Sequence, residues 1–221
     1  LPFTLKMGVF DNLTVDSLLD EVDFKTEQVE LQGKKLSERR QTAWQSSTNK
    51  PFRYSGKVMS PSPFTPLVQE IRDRIFKLTG VPYDCALLNL YPDGTSGMRF
   101  HSDPDQGIHW STNTAVVSVG DTRLFVMREM DDHSKRHQFY VTSGDVLIMH
   151  GDCQQRYQHS IRTEEPGVRA AGVALDGSSS SSSSRSKHQR WSAALGPRIS
   201  IVFKQSLEEE ERWKRRGALA E

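Results

Sequence analysis

From residue 86 onward, the sequence is a series of short strand-length segments separated by turn signals, and this pattern restricts the fold more than any other feature. The segments are residues 86–91, 114–119, 123–127, 137–142, 146–149 and 198–204. Dipeptides such as Gly120-Asp121 and Ser143-Gly144 mark the turns between them. Short strands in this number, preceded by two helices, indicate an α+β protein built as a cupin-like jelly roll, or double-stranded β-helix, flanked by N-terminal helices.

The two helices are predicted over residues 14–22 and 65–78. Thr14 or Asp16 is able to cap the first helix, whose leucines would face the core. In the second, Thr65 is the expected N-cap, Pro66 the first helical residue and Gly80 the stop. We expect both helices to have a structural role only.

Composition limits the class of protein. A chain of 221 residues with 35% hydrophobic content suits one sizeable domain. Cys85 and Cys153 are its only cysteines, which favours a reducing compartment. No apolar run approaches the ~20 residues that cross a bilayer, so we expect no membrane association. A net charge of +1 excludes a broadly basic nucleic-acid coat but permits local basic patches.

His101 and Asp103 are the first candidates for chemistry. They follow a strand-like run two residues apart, and in an extended chain such positions share a face. His159, beyond the apolar strand 146–149, is the best candidate for a third group. Two histidines and one carboxylate form the facial site that holds non-haem Fe(II). On its own, the His-x-Asp pair is equally compatible with a solvated turn.

The last strand places two cations on one face. Arg198, Ser200, Val202 and Lys204 alternate with apolar residues, so both cations point into whatever the sheet encloses. A buried cation requires an anion, and the planar Arg198 fork suits a carboxylate. Lys204 is as readily predicted to reach solvent. Asn89 and Tyr91, two apart on a strand, are candidates for further hydrogen bonds.

Aromatic residues near the N-terminus suggest a base-stacking surface. Phe52 and Tyr54 share one face of a short alternating segment, and Trp44 lies in the polar stretch 25–49 with several lysines and arginines. Buried packing and a solvated loop are the ordinary interpretations. The alternative is a basic flap against phosphates, with rings that stack on bases.

Four groups of residues together resemble the AlkB family of Fe(II)- and 2-oxoglutarate-dependent dioxygenases. They are N-L-Y at 89–91, H-S-D at 101–103, His159 and R-I-S-I-V-F-K at 198–204. The resemblance covers roughly residues 40–204, apart from the serine tract. It implies that His101, Asp103 and His159 bind iron, that Arg198 pairs with the distal carboxylate of 2-oxoglutarate, and that Asn89 and Tyr91 contact the same co-substrate.

The resemblance extends to the substrate side and includes two departures. Asp105 matches an acidic position near the target base, and Tyr54 matches a base-contacting aromatic, with Phe52 and Trp44 in the same region. Ser200 and Lys204 stand where the family commonly has Asn and Arg, and a Lys cannot reproduce a bidentate carboxylate grip. We still expect both to serve the co-substrate site.

The implied activity is oxidative demethylation of N-methylated bases in DNA or RNA, using Fe(II), O2 and 2-oxoglutarate and releasing formaldehyde, succinate and CO2. The alternatives are a 2-oxoglutarate oxygenase acting on a protein or small molecule, and a non-catalytic module that binds modified bases. We expect an intracellular monomer, in the nucleus before an organelle or the cytoplasm. Residues 1–60 would form an extension with the nucleotide-recognition flap, 61–206 the core with a disordered serine-rich insertion at about 169–192, and 207–221 a charged tail.

Overall fold

Two antiparallel sheets packed on each other form the body of the protein. The computed structural model describes residues 1–31, 34–54, 57–163 and 195–207. Within them the strands are β1 (Phe3–Lys6), β2 (Lys25–Leu31), β3 (Lys34–Ser46), β4 (Phe52–Tyr54), β5 (Lys57–Met59), β6 (Cys85–Tyr91), β7 (Met98–His101), β8 (Trp110–Gly120), β9 (Arg123–Glu129), β10 (Arg136–Val141), β11 (Val146–Met149), β12 (Tyr157–Ile161) and β13 (Arg198–Ser206). The helices are α1 (Val15–Leu19), α2 (Pro66–Thr79) and α3 (Cys153–Arg156).

The strand order confirms the jelly roll. The larger sheet runs β1-β11-β8-β13-β6-β3-β2 and the smaller one β10-β9-β12-β7, while β4 and β5 form a separate hairpin. Strand β13 lies between β8 and β6 and is antiparallel to both. It is therefore buried at the centre of the larger sheet, where both of its faces meet other parts of the protein.

The helices begin and end near the predicted residues. Thr65 occupies the N-cap position of α2 with an extended backbone, although its hydroxyl makes no hydrogen bond to the helix, and Pro66 follows it. Gly80 ends the helix at φ 71°, a left-handed conformation that glycine adopts without strain. In α1, the Thr14 hydroxyl accepts a hydrogen bond from the Ser17 N–H. The apolar side chains of both helices pack on the outer face of the larger sheet.

The two faces of β13 separate structure from chemistry. Ile199, Ile201 and Phe203 are fully buried in the cluster beneath the helices, where each contributes roughly 1.5–3 kcal/mol through burial. Arg198, Ser200, Val202 and Lys204 face the space between the sheets, as the alternation predicted. A one-residue slip would exchange these faces, so the apolar side fixes the position of the polar side.

Residues 25–49, expected to be a polar loop, instead contain the β2–β3 hairpin. Strand β3 pairs with β6 over six residues, and Arg40, Thr42 and Trp44 are buried on its inner face while Ala43 packs on the outer side. Polar residues occupy several inner positions because they line the space between the sheets, so hydrophobic alternation did not reveal the strand. Three strands from residues 1–60, namely β1, β2 and β3, thus belong to the larger sheet.

Several expectations concern residues outside the described ranges. These are the serine-rich insertion at about 169–192 and the charged tail beyond Leu207. The side chain of Tyr54 also lies outside the description, although its backbone pairs with Lys57 in the hairpin. Among the helices described, none has the length and apolar character needed to cross a membrane.

Candidate active site

His101, Asp103 and His159 converge in the space between the sheets. Strands β7 and β12 are neighbours, and His101 and His159 are directly paired across them. The Nε2 atoms of His101 and His159 lie 3.8 and 3.7 Å from Asp103 Oδ1. These separations exceed hydrogen-bonding distance, so the three donor atoms face a common point without satisfying one another. They form a group whose ligand atoms all lie within 4.8 Å, a donor set that fits Fe(II).

A bulge in β7 turns His101 into the cavity. His159 pairs with His101 and Ile161 with Met98. The two pairs are three residues apart on β7 but only two apart on β12, so β7 contains one extra residue, which is a β-bulge. Met98 and His101 consequently both line the cavity, although residues three apart in a regular strand point to opposite faces. Strand β7 ends at His101, so Asp103 reaches the site from the following loop rather than from the extended strand that the sequence suggested.

The loop carrying Asp103 is held by α3 and β12. The Asp103 N–H donates to Gln154 Oε1 at 2.8 Å, and the Ser102 hydroxyl donates to the Tyr157 carbonyl at 2.9 Å. Gln154 belongs to α3, which precedes the strand that carries His159. The continuous segment α3–β12 therefore holds the Asp103 loop and itself carries His159.

Both imidazoles are suited to bind a metal. His101 Nδ1 lies 2.9 Å from the Arg99 carbonyl oxygen, and donation from Nδ1 leaves the Nε2 lone pair toward Asp103. Burial lowers the pKa of His159 to about 3, the neighbouring His101 and Lys204 act in the same direction, and Asp103 opposes them. His159 is therefore neutral at neutral pH, the form that a metal ligand requires.

Lys204 forms a buried ion pair with Asp103. Its Nζ lies 2.6 Å from Asp103 Oδ2, and the residue is only 1% exposed. The alternative that Lys204 reaches solvent is therefore wrong. Burial by itself would raise the pKa of Asp103, but the charge of Lys204, with smaller contributions from His159 and His101, holds it well below its usual range. The ammonium engages Oδ2, while Oδ1 is the oxygen that faces the imidazoles.

Arg198 presents unsatisfied donors to the same cavity. Its Nη2 donates to Ser118 Oγ at 2.9 Å, whereas Nε and Nη1 have no hydrogen-bond partner among the described residues. The guanidinium is fully buried and lies 5.4 Å from the centre of the Tyr91 ring. Burial lowers the pKa of Arg198 to about 10, so it stays cationic at neutral pH. A buried cation with open donors fits the carboxylate of 2-oxoglutarate.

The other predicted co-substrate residues line the same cavity as Arg198. Asn89 and Ser200 are paired across β6 and β13, and Asn89 Nδ2 donates to Ser200 Oγ at 3.4 Å. The Asn89 Oδ1 atom is buried without a hydrogen-bond partner in the described structure. Asn89, Tyr91, Arg198, Ser200 and Lys204 all line the cavity that contains the His-Asp-His cluster.

The predicted substrate residues are only partly brought to this cavity. Phe52 lines it, stacked on Trp44 with ring centroids 4.7 Å apart. Trp44 is 2% exposed and donates its indole N–H to the Lys50 carbonyl, and Trp110 packs edge-on against it. The prediction that a base stacks directly on Trp44 is therefore wrong, because other core residues cover its ring. Trp44 instead supports the Phe52 ring from behind.

Asp105 lies at a different surface. It is exposed, has a left-handed backbone with φ 60°, and lines a surface cavity of about 240 Å³ with Lys50, Arg53 and His109. Asp is among the non-glycine residues that tolerate this conformation. The Asp105 carbonyl accepts hydrogen bonds from the N–H groups of Ile108, His109 and Trp110. The side chain thus lies at the end of the Asp103 loop but does not line the metal cavity.

Several residues of the site were not predicted. Arg40 and Phe125 line the cavity, the Phe125 ring stacks against His159 at 5.7 Å, and Ser118 and Gln154 hold Arg198 and the Asp103 loop. Ser118 was detectable as an isolated polar residue within an apolar strand. Arg40 was hidden in a segment taken for a loop.

Comparison with known proteins identifies the family. The sequence profile described as "2OG-Fe(II) oxygenase superfamily" matches residues 11–204, which is most of the chain. A solved structure described as "The structure of OsALKBH1" aligns over 92% of this chain and 98% of that chain, with a TM-score of 0.57 and 17% identity. That likeness supports the jelly-roll fold.

Curated relatives share parts of the sequence. "Uncharacterized protein R406" of Acanthamoeba polyphaga mimivirus is 39% identical over 62% of this chain and 72% of its own length. "DNA oxidative demethylase ALKBH2" of Homo sapiens is 26% identical over 69% of this chain and 64% of its own. "Alpha-ketoglutarate-dependent dioxygenase alkB homolog 3" of Homo sapiens is 31% identical over 57% of this chain and 46% of its own.

The matched region contains the whole His-Asp-His cluster and the final strand with Arg198, so profile and geometry refer to the same site. The family uses Fe(II) and 2-oxoglutarate, for which the cluster and the buried guanidinium provide suitable groups. The chain belongs to the 2OG-Fe(II) oxygenase superfamily and is an AlkB-like Fe(II)- and 2-oxoglutarate-dependent dioxygenase.

Proposed function

We propose that this protein removes N-methyl groups oxidatively from bases in nucleic acid, with His101, Asp103 and His159 as iron ligands. One observation carries the proposal. A cluster of two imidazoles and a carboxylate shares a buried cavity with the Arg198 guanidinium, whose Nε and Nη1 have no hydrogen-bond partner in the described structure. The imidazoles and the carboxylate are ligands suited to Fe(II), and the guanidinium is suited to pair with a carboxylate of the co-substrate.

Iron and 2-oxoglutarate, when bound, supply the oxidation by O2 that hydroxylates an N-methyl carbon as the co-substrate becomes succinate and CO2. The hydroxymethyl product then loses formaldehyde and returns the unmodified base. The protein's own residues bind, orient and exclude water.

Each lining residue has a separate task in this proposal. Arg198 pairs with the distal carboxylate, while Asn89 and Ser200 present an amide and a hydroxyl beside it. Lys204 holds one oxygen of Asp103 and so directs the other toward the metal position. Apolar side chains from both sheets, including Val116, Phe125 and Met149, line the rest of the cavity and limit the access of water.

Two observations support nucleic acid as the substrate. The curated relatives include proteins described as DNA oxidative demethylases, and the Phe52 ring, itself 1% exposed, forms part of the apolar wall of the cavity, against which an entering base would pack. A base inside a duplex is out of reach of a buried cluster, so we expect a single-stranded or flipped-out base. We expect the protein to act as a monomer.

A panel of oligonucleotides tests the proposal. Methylated DNA and RNA strands are incubated with protein, iron, ascorbate and 2-oxoglutarate, and products are measured by mass spectrometry together with released formaldehyde. We expect loss of one methyl group per formaldehyde released, and none with Asp103→Ala. Succinate formation with peptides but not with any methylated strand would instead indicate a protein oxygenase, and no succinate with any substrate a binding module.

A further inference from the structure

An arginine-rich groove runs beside the active-site cavity. It has a volume of about 620 Å³ and lies between β3, the loop that precedes β7, and the end of β12. Arg39 and Arg40 of β3, Arg99 of β7 and Arg162 after β12 line it, with Glu38 as the single acidic residue. The sequence marked Arg39 and Arg40 as members of a basic stretch but did not connect them with Arg99 and Arg162.

The charges of the groove are not balanced within the described residues. The Glu38 carboxylate contacts Arg40 Nη2 at 3.3 Å and Lys57 Nζ at 2.7 Å, so its charge is already shared by two cations. Arg99 and Arg162 are exposed and form no ion pair with any residue that the structure describes. Arg39 donates to the Thr95 carbonyl at 3.4 Å, a neutral acceptor. The groove therefore presents an excess of guanidinium groups to an incoming anion.

The groove opens into the active site. Arg40, Met98 and Ile161 line both the groove and the cavity with the His-Asp-His cluster. Met98 stands at the bulge that also turns His101 inward, so the two spaces meet beside a candidate metal ligand. A chain lying in the groove would thus have a side group at the entrance of the cavity.

The base of the groove is closely packed. A Cβ atom on Gly97 would lie 2.7 Å from the Ile161 carbonyl oxygen and 2.9 Å from Thr163 Cγ2. The loop before β7 consequently rests directly on the segment after β12, which places Arg99 and Arg162 on two chain segments in contact. This contact fixes the backbones that carry Arg99 and Arg162 relative to each other.

We propose that this arginine groove binds the phosphodiester backbone of a single strand while one of its bases enters the cavity. The inference rests on the proposed function, because it takes the substrate to be nucleic acid. Guanidinium forks match phosphate oxygens, and a repeating backbone charge suits arginines that come from several chain segments. Contacts of this kind supply affinity without reading sequence.

The test measures binding of an unmodified single-stranded oligonucleotide as a function of salt. Fluorescence anisotropy compares the full chain with Arg99→Ala/Arg162→Ala and with a matched control, Arg74→Ala/Lys77→Ala, which removes two charges from the exposed face of α2. Each lost phosphate contact reduces the slope of log affinity against log salt by about 0.7 for a single strand. For the two contacts removed in the groove variant, we expect the slope to be about 1.4 less steep than in the wild type. Raising the salt from 50 to 200 mM should therefore weaken binding by a factor about sevenfold smaller in the variant than in the wild type.

The control should retain the wild-type slope. Equal slopes for the groove variant and the wild type would overturn the proposal, as would an equal loss in both double variants. Formaldehyde release from methylated strands is measured in parallel, because it tests the reaction separately. A wild-type protein that binds strands through these arginines yet releases no formaldehyde would support the groove and contradict the proposed reaction.

Discussion

Replacing Lys204 by Met should expose the energetic role of the ion pair beside the metal ligands. Lys204 is 1% exposed and its Nζ is 2.6 Å from Asp103 Oδ2. With the Gln106 amide oriented so that its oxygen meets donors, Nζ also donates to Gln106 Oε1 at 3.0 Å. Met fills much of the same volume but supplies neither charge nor donor, so the Asp103 carboxylate would be left buried without its cation.

The size of the effect follows from the cost of the unpaired carboxylate. Removing one partner of a buried ion pair costs about 3–5 kcal/mol. The cost has a ceiling, because Asp103 is able to take up a proton instead. Starting from an ordinary aspartate pKa of 3.8, protonation at pH 7 costs about 4 kcal/mol, which is about 3.2 pH units at 1.36 kcal/mol each. We therefore expect the free energy of unfolding to fall by about 3–4 kcal/mol in the metal-free protein.

Urea unfolding in the presence of a chelator measures this for Lys204→Met, Asp103→Asn and the double variant. The double variant should recover most of the loss, because neutral groups then replace both charges. Addition of a divalent cation should stabilise Lys204→Met more than the wild type, since the ion replaces the missing positive charge. Lys204→Met within 1 kcal/mol of the wild type, or additive effects of the two changes, would refute the reasoning.

Three further outcomes are expected. Below pH 6 the metal-free protein should lose about 1.4 kcal/mol of stability per pH unit, because His159 binds a proton in the unfolded chain but not in the folded protein, where its pKa is lowered. Urea unfolding between pH 7 and 4.5 measures this, and the same dependence of stability on pH in His159→Gln would contradict it. Arg198→Lys should raise the KM for 2-oxoglutarate about tenfold by loss of the bidentate grip, whereas an unchanged KM would remove the carboxylate role. Phe52→Ala should lower the free energy of unfolding by about 3–5 kcal/mol because the ring is buried against Trp44, whereas Val58→Ala, at an exposed position, should lower it by less than about 0.5 kcal/mol. Equal losses in urea unfolding would contradict the burial of Phe52.

The sequence was most informative where one physical requirement dominates a segment. In β13, buried Ile199, Ile201 and Phe203 force the alternate residues inward, so the direction of Arg198 and Lys204 followed from periodicity alone. The residues at the two ends of α2, Thr65 and Gly80, were also predicted correctly from the sequence. The order of the candidate ligands along the chain, supported by the family resemblance, was sufficient to nominate the site.

The rest depended on tertiary contacts that no local pattern contains. Strand β3 carries Arg40 and Thr42 at buried positions because they face the space between the sheets, so it lacks the apolar alternation of a strand. The bulge in β7 places Met98 and His101, three residues apart, on the same side of the strand, and only the pairing with β12 reveals it. Trp44 packs under Phe52 because β3 and the β4–β5 hairpin meet, which linear spacing does not show.

Anaerobic titration of Fe(II), followed by calorimetry in the presence of 2-oxoglutarate, tests most directly whether His101, Asp103 and His159 act as one metal site. We expect one Fe(II) per chain in the wild type. Loss of that binding is expected in each of His101→Ala, Asp103→Ala and His159→Ala, with the fold retained by circular dichroism. Undiminished Fe(II) binding in any of these three variants would contradict the assignment of the site.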